Sequence, residues 1–282
     1  MKRLIGSGLA LAGLFLAIFA ATCAAPKKVS FYPLISRSQQ YLREGNFQKA
    51  IETCDTAYQK FPQAPAVLDN YLKTLQEIKN SAERSFEAKD FPPAIKIYSV
   101  LLNNYDRFHE FASALPFNRE WLIGRTRQAR NGMTFLGARP ALEAGDFYKG
   151  IEIYKARYLE NPDDGEFLAA FISILEDIKR AGDAALAKEN FASAGRAYDP
   201  LKKNIQSFEK FLPSLSFSEK SLDEGLKICR TELGKKALAE YRRENLAGAI
   251  SIWQDILTFD PENLEVKKAI ETATIQLKKI KK

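Results

Sequence analysis

The strongest constraint on this chain is a short phrase that recurs five times. GNFQKAI begins at Gly45, KDFPPAI at Lys89, GDFYKGI at Gly145, ENFASAG at Glu189 and ENLAGAI at Glu244. Each opens with a turn-like polar pair, continues with Phe or Leu, and places a small residue three positions later. The starts lie 44, 56, 44 and 55 residues apart, so two units make a larger period near one hundred. At that offset Phe47 meets Phe147, Ile78-Lys79 meets Ile178-Lys179, Phe91 meets Phe191 and Tyr98 meets Tyr198. FHEFASALPF, from Phe108 to Phe117, then aligns with FEKFLPSLSF, from Phe208 to Phe217, and one residue is lost between Leu222 and Leu246. A tandem duplication predicts all of this, and periods of tens of residues are the mark of stacked structural units.

The fullest units are YLREGNFQKAIETCDTAYQKFP and ALAEYRRENLAGAISIWQDILTFDP. In the first, Tyr41, Gly45, Phe47, Ala50, Ile51, Ala57 and Pro62 fall at the spacing of the tetratricopeptide repeat; in the last, Ala249, Ile250, Trp253 and Pro261 do the same. The chain therefore resembles that family, and the resemblance implies an all-α solenoid of antiparallel helix pairs. The polar pair would turn the chain between two helices. Ala50, Ala94, Gly150, Ala194 and Ala249 would let those helices approach, while Phe47, Phe91, Phe147 and Phe191 would lock them by apolar burial. Proline ends a helix by denying its continuation. Helices are expected near 30–44, 46–61, 64–88, 92–106, 118–144, 147–160, 164–188, 190–206, 218–243, 245–259 and 262–280, with a kink near Gly132, Gly137 and Pro140. The duplicated halves would span 30–130 and 131–230, followed by a last repeat and capping helix over 231–282. The aromatic connectors would cover the seams between units; the alternative is a ligand pocket walled by Phe108, Phe111, Phe208 and Phe211.

The first residues obey another rule. Met1-Lys2-Arg3 is a basic start, and no charge follows until Lys27. The apolar run between them, closing on Cys23, has the order of an exported signal segment. It resembles a bacterial lipoprotein signal over residues 1–22, with Ala20, Ala21 and Thr22 at the lipobox positions and Cys23 as the lipidated residue. Residues 23–29 would form a short tether. That resemblance implies palmitate on Cys23 and a place in the cell envelope, facing the periplasm or the cell surface. Retention as a membrane helix and release by an ordinary signal peptidase are the other two readings. The remaining cysteines, Cys54 and Cys229, sit in apolar helical patterns and read as buried small hydrophobes. The formal net charge of +7 becomes +5 without Lys2 and Arg3 and is thinly spread, with one local cluster at KKIKK. An exported chain of this kind is not expected to bind nucleic acid.

Chemistry is sparse. The one histidine, His109, is matched by Glu209 one hundred residues later. No metal site of ordinary spacing, nucleophile elbow or phosphate-cradling loop occurs, so neither catalytic residues nor a cofactor are expected. Binding is the constructive expectation. By the family's spacing, Lys79, Glu83, Arg139, Lys179, Arg180, Asp183, Tyr241 and Arg242 would line the inner face of the stack. They would meet an extended peptide or another envelope protein, as in an adaptor or assembly scaffold. Accessory duty in periplasmic solute uptake, or ligand carriage by the aromatic connectors, are the alternatives. The bland reading of the charged residues is a solvated face with i,i+4 ion pairs such as Lys79 with Glu83.

Overall fold

The chain reverses at the polar pair that opens each phrase, and the backbone shows why that pair is there. Gly45, Lys89, Gly145, Glu189 and Glu244 all carry φ between 56° and 75°, the left-handed region. The next residue then starts a helix. Asn46, Asp146, Asn190 and Asn245 each accept a hydrogen bond from the backbone N–H three residues on, which satisfies an otherwise orphaned donor. Asp90 makes no such bond. Pro92 and Pro93 occupy the positions whose N–H groups it would cap, and proline has none to offer.

The structure, a computed structural model, describes residues 30–280; the expected signal segment and Cys23 lie outside them. Among the described residues there are helices and no strand. The helices are α1 Tyr32–Arg43, α2 Phe47–Lys60, α3 Pro65–Glu87, α4 Phe91–Asn103, α5 Arg119–Glu143 and α6 Phe147–Glu160. They continue with α7 Gly165–Ala187, α8 Phe191–Asn204, α9 Glu219–Arg242, α10 Leu246–Leu257 and α11 Leu264–Ile280. Each expected helix is present, with ends moved by three residues or fewer. The connectors after α4 and α8 fold as short 3-10 turns, among them His109–Ala114 and Ile205–Phe208. No helix of the described residues is long and apolar enough to cross a membrane.

The described chain gathers into two compact units, divided between Tyr71 and Leu72 and so within α3. In the first, α1 packs on α2, burying Ala50, Ile51, Cys54 and Ala57. The Asn70 amide there donates to Ser38 Oγ at 3.0 Å and to Cys54 Sγ at 3.4 Å. In the second, α4 packs on α5, α5 on α6, α7 on α8, α8 on α9, α9 on α10 and α10 on α11. Ala94, Ala194 and Ala249 are fully buried at the close approaches. Gly150 and Gly195 stand where bulk is forbidden: an added Cβ would lie 2.3 Å from a Leu142 methyl and 2.5 Å from the Phe259 ring. Phe91 and Phe191 are buried, whereas Phe47 and Phe147 are only half-buried, so the expected lock is tight in two of the four.

Helix α5 is built differently from its neighbours. It buries Leu122, Thr126 and Ala129 along one stripe, then Asn131, Thr134, Ala138 and Ala141 along another. The change of stripe between Ala129 and Asn131 moves the buried face around the helix by roughly 130°. One stripe serves α4 and the other α6, so a single long helix is shared between two partners. Gly132 sits at the changeover, where an added Cβ would lie 2.3 Å from the Phe91 ring. The helix continues through Gly132, Gly137 and Pro140. In α9, one residue shorter, Leu222, Leu226, Cys229, Leu233 and Ala237 form one continuous stripe.

Candidate functional site

The residues expected to bind a partner are distributed over several places. Lys79 and Glu83 project from α3, one turn apart, but their charges do not pair with each other. The Glu83 carboxylate accepts hydrogen bonds from the Tyr98 hydroxyl and, at 2.6 Å, from Arg125 Nη2. Arg125 is held over Phe86, 4.5 Å from the ring centroid, and Lys79 Nζ lies 5.3 Å from the centre of Trp121. The i,i+4 ion pair expected of Lys79 and Glu83 therefore gives way to a cross-helix one. A bidentate-capable guanidinium on a flat ring is a better partner for a half-buried carboxylate than a mobile ammonium.

The corresponding place on α7 differs. Lys179 does bond Asp183, at 2.6 Å, while Nζ also sits 5.4 Å from the Tyr198 ring centre. The Tyr198 hydroxyl donates to Asp183 Oδ1 at 2.7 Å. The residue one hundred positions after Arg125 is Gly225, and Tyr198 is packed between Gly182 and Gly225, neither of which could carry a Cβ without striking the ring. Burial, followed by the bonds to Glu83 and Asp183, pushes the hydroxyls of Tyr98 and Tyr198 well above the usual phenol range. Both tyrosines are thus neutral donors that tie a helix to the one before it.

The other expected residues are local. Arg139 is exposed and pairs with Glu143 at 2.7 Å. Arg180 is exposed and pairs with Asp177. Tyr241 donates to Gln276 Oε1 at 2.7 Å, and with Arg242 it lines a cleft between the ends of α9 and α11. His109 is exposed, its Nδ1 2.7 Å from the Asp106 carbonyl. Cys54 and Cys229 are buried thiols. Among the described residues no group of three or more His, Cys, Asp or Glu side chains is placed to hold a metal ion.

The aromatic connectors are consumed in packing. Phe108 and Phe208 are fully buried and Phe211 nearly so. Phe171 meets both Phe208 and Phe211, and Tyr158 meets Phe211 edge-on at 5.4 Å. Phe208 and Phe211 thus cover α6 and α7, while Phe108 meets Tyr105 of its own connector at 5.1 Å. Phe111 is half-buried.

Sequence reasoning missed a buried polar cluster in the second unit. Asp164 is 2% exposed and caps α7 by accepting from the Phe167 N–H at 3.2 Å. The Asn131 amide donates to Asp164 Oδ2 at 3.0 Å, and Arg157 donates through Nε to Asn131 Oδ1, also at 3.0 Å. Arg157 lies 3.5 Å from the same carboxylate. A buried ion pair is tolerated only when its remaining donors and acceptors are met, as they are here. Asp164 was legible as a helix-start acid. Its partners, Asn131 and Arg157, come from two other helices, and nothing near Asp164 in the sequence names them. No protein-family model matches the chain, and no curated protein matches it.

Proposed function

We propose that this chain is a tetratricopeptide-like scaffold that binds another protein of the cell envelope while lipid on Cys23 holds it to a membrane. The observation carrying this reading is the recurrence of one hairpin, with its latch, at an interval of one hundred residues. Tyr98 binds Glu83 and Tyr198 binds Asp183, each from the second helix of a pair back to the first. Helices α3 and α7 have matching bounds, as do α2 and α6. An internal duplication of a stacked unit accounts for that correspondence. Stacking of such units creates extended surfaces rather than a single pit, and extended surfaces suit protein partners. Arg139 and Arg180, both exposed, are the arginines we assign to that surface; arginine is enriched where interfaces hold their binding energy.

Cross-linking in intact cells followed by affinity capture of the chain tests the reading. A specific envelope protein should be recovered, and Arg139→Glu with Arg180→Glu should reduce its recovery several-fold at unchanged helicity. Unchanged recovery removes those two residues from the surface. Labelled palmitate should enter the parent and not the Cys23→Ala variant; label retained by the variant refutes the anchor.

A further inference from the structure

The closing helix α11 turns toward solvent a face that its own packing leaves unused. Val266, Ala269, Ile270 and Ala273 rest against the core. Around the helix from them, Leu264, Lys268, Ile275 and Lys279 follow at i, i+4, i+11 and i+15 and so share one stripe. Within the stripe Leu264 is 67% exposed and Ile275 50%; Ile280, 71% exposed at the helix end, stands off the stripe on the cleft side. Lys278 and Lys267, the latter paired with Glu262 at 3.3 Å, flank the stripe on one side and Glu265 on the other, and Glu271 is the one acid within it. The stripe is about 22 Å long at the helical rise per residue. Beside its end lies a cleft of about 490 Å³, in which Tyr241, Arg242 and Lys279 stand with Leu246, Ile280 and the acid Glu244.

We propose that this face docks on an anionic phospholipid bilayer. The lysines and Arg242 complement lipid phosphates, and the aliphatic residues among them enter the boundary between headgroups and acyl chains. A nucleic acid would reward the cations but leave Leu264 and Ile275 in water, and the stripe itself offers no ring for base stacking, Tyr241 in the cleft being held by Gln276. The contact is separate from any lipid on Cys23.

The test uses the full chain with Cys23→Ser, which removes any lipid, and Thr272→Cys on the exposed side of α11, carrying an environment-sensitive fluorophore. The probe reports α11 itself. Vesicles of phosphatidylglycerol mixed with phosphatidylcholine should shift its emission to the blue, and vesicles of phosphatidylcholine alone should not. Lys268→Glu with Lys279→Glu should weaken binding by more than about tenfold, because each lysine at an anionic surface contributes roughly fivefold. Ile275→Gln should weaken it several-fold without changing its dependence on salt. No shift with anionic vesicles, an equal shift with neutral ones, or a response to DNA in place of vesicles would each overturn the proposal. Circular dichroism identifies a misfolded lysine variant, and Ile275→Gln with a salt titration then decides the matter.

Discussion

At the scale of single residues, the second unit is governed by what a buried group can reach. Cys229 reaches little that would stabilise a thiolate: it is fully buried on α9, and burial pushes its thiol up to about 11 from 9.0. A raised value in the folded state means the protonated form is favoured there. The associated stability is complete below pH 9 and is lost as pH rises toward 11, since the unfolded chain releases its proton first. The urea midpoint of the parent should therefore fall more steeply between pH 9 and 11 than that of Cys229→Ala; parallel curves would contradict the assignment. Glycines give a second contrast. Gly132→Ala forces a methyl against the Phe91 ring and should cost about 1–3 kcal/mol. Gly124, in the same helix, has nothing within 4 Å of an added Cβ, so Gly124→Ala should stabilise by about 0.5–1 kcal/mol. Thermal melts of the two variants should move in opposite directions.

At the scale of the helix and its turn, five left-handed residues divide into two glycines and three residues that carry a Cβ. Lys89, Glu189 and Glu244 hold φ of 56–61° against the steric preference of L-residues. All three are exposed, so the side chain gains no burial in return. Replacing Glu189 or Glu244 by glycine should stabilise each turn by about 1 kcal/mol. That corresponds to roughly 2–4 °C in melting temperature for a chain of this size. Gly45→Ala and Gly145→Ala should do the reverse. The turns themselves were legible in the sequence, because a polar pair before an aromatic is a local signal and its mechanism is local. The doubling of the buried stripe on α5 was not. Its periodicity is broken at Asn131 because two different helices claim its two ends, and neither claim is written in α5.

At the scale of the whole molecule, helices in the second unit lean on their neighbours in chain order. Stability in such an arrangement is close to a sum of local terms and interfaces, and the last element protects the one before it. A chain ending at Asp260 would lack the cover that Val266, Ala269 and Ile270 give the core. Amide hydrogen exchange in α10 should then rise by orders of magnitude while α7 and α8 keep most of their protection. Uniform loss of protection would mean that the unit opens as one. The sequence alone determined the helical class, the position of every turn and the small residues at the close contacts, since these follow from propensity, capping and backbone sterics within a few residues. The tertiary structure decided which charges are satisfied and by whom. Glu83 went to Arg125 rather than to Lys79, Asp164 to Asn131 and Arg157, and Phe208 and Phe211 to Phe171. Those choices depend on desolvation and on geometry between segments far apart in the chain, and no window of sequence contains both partners.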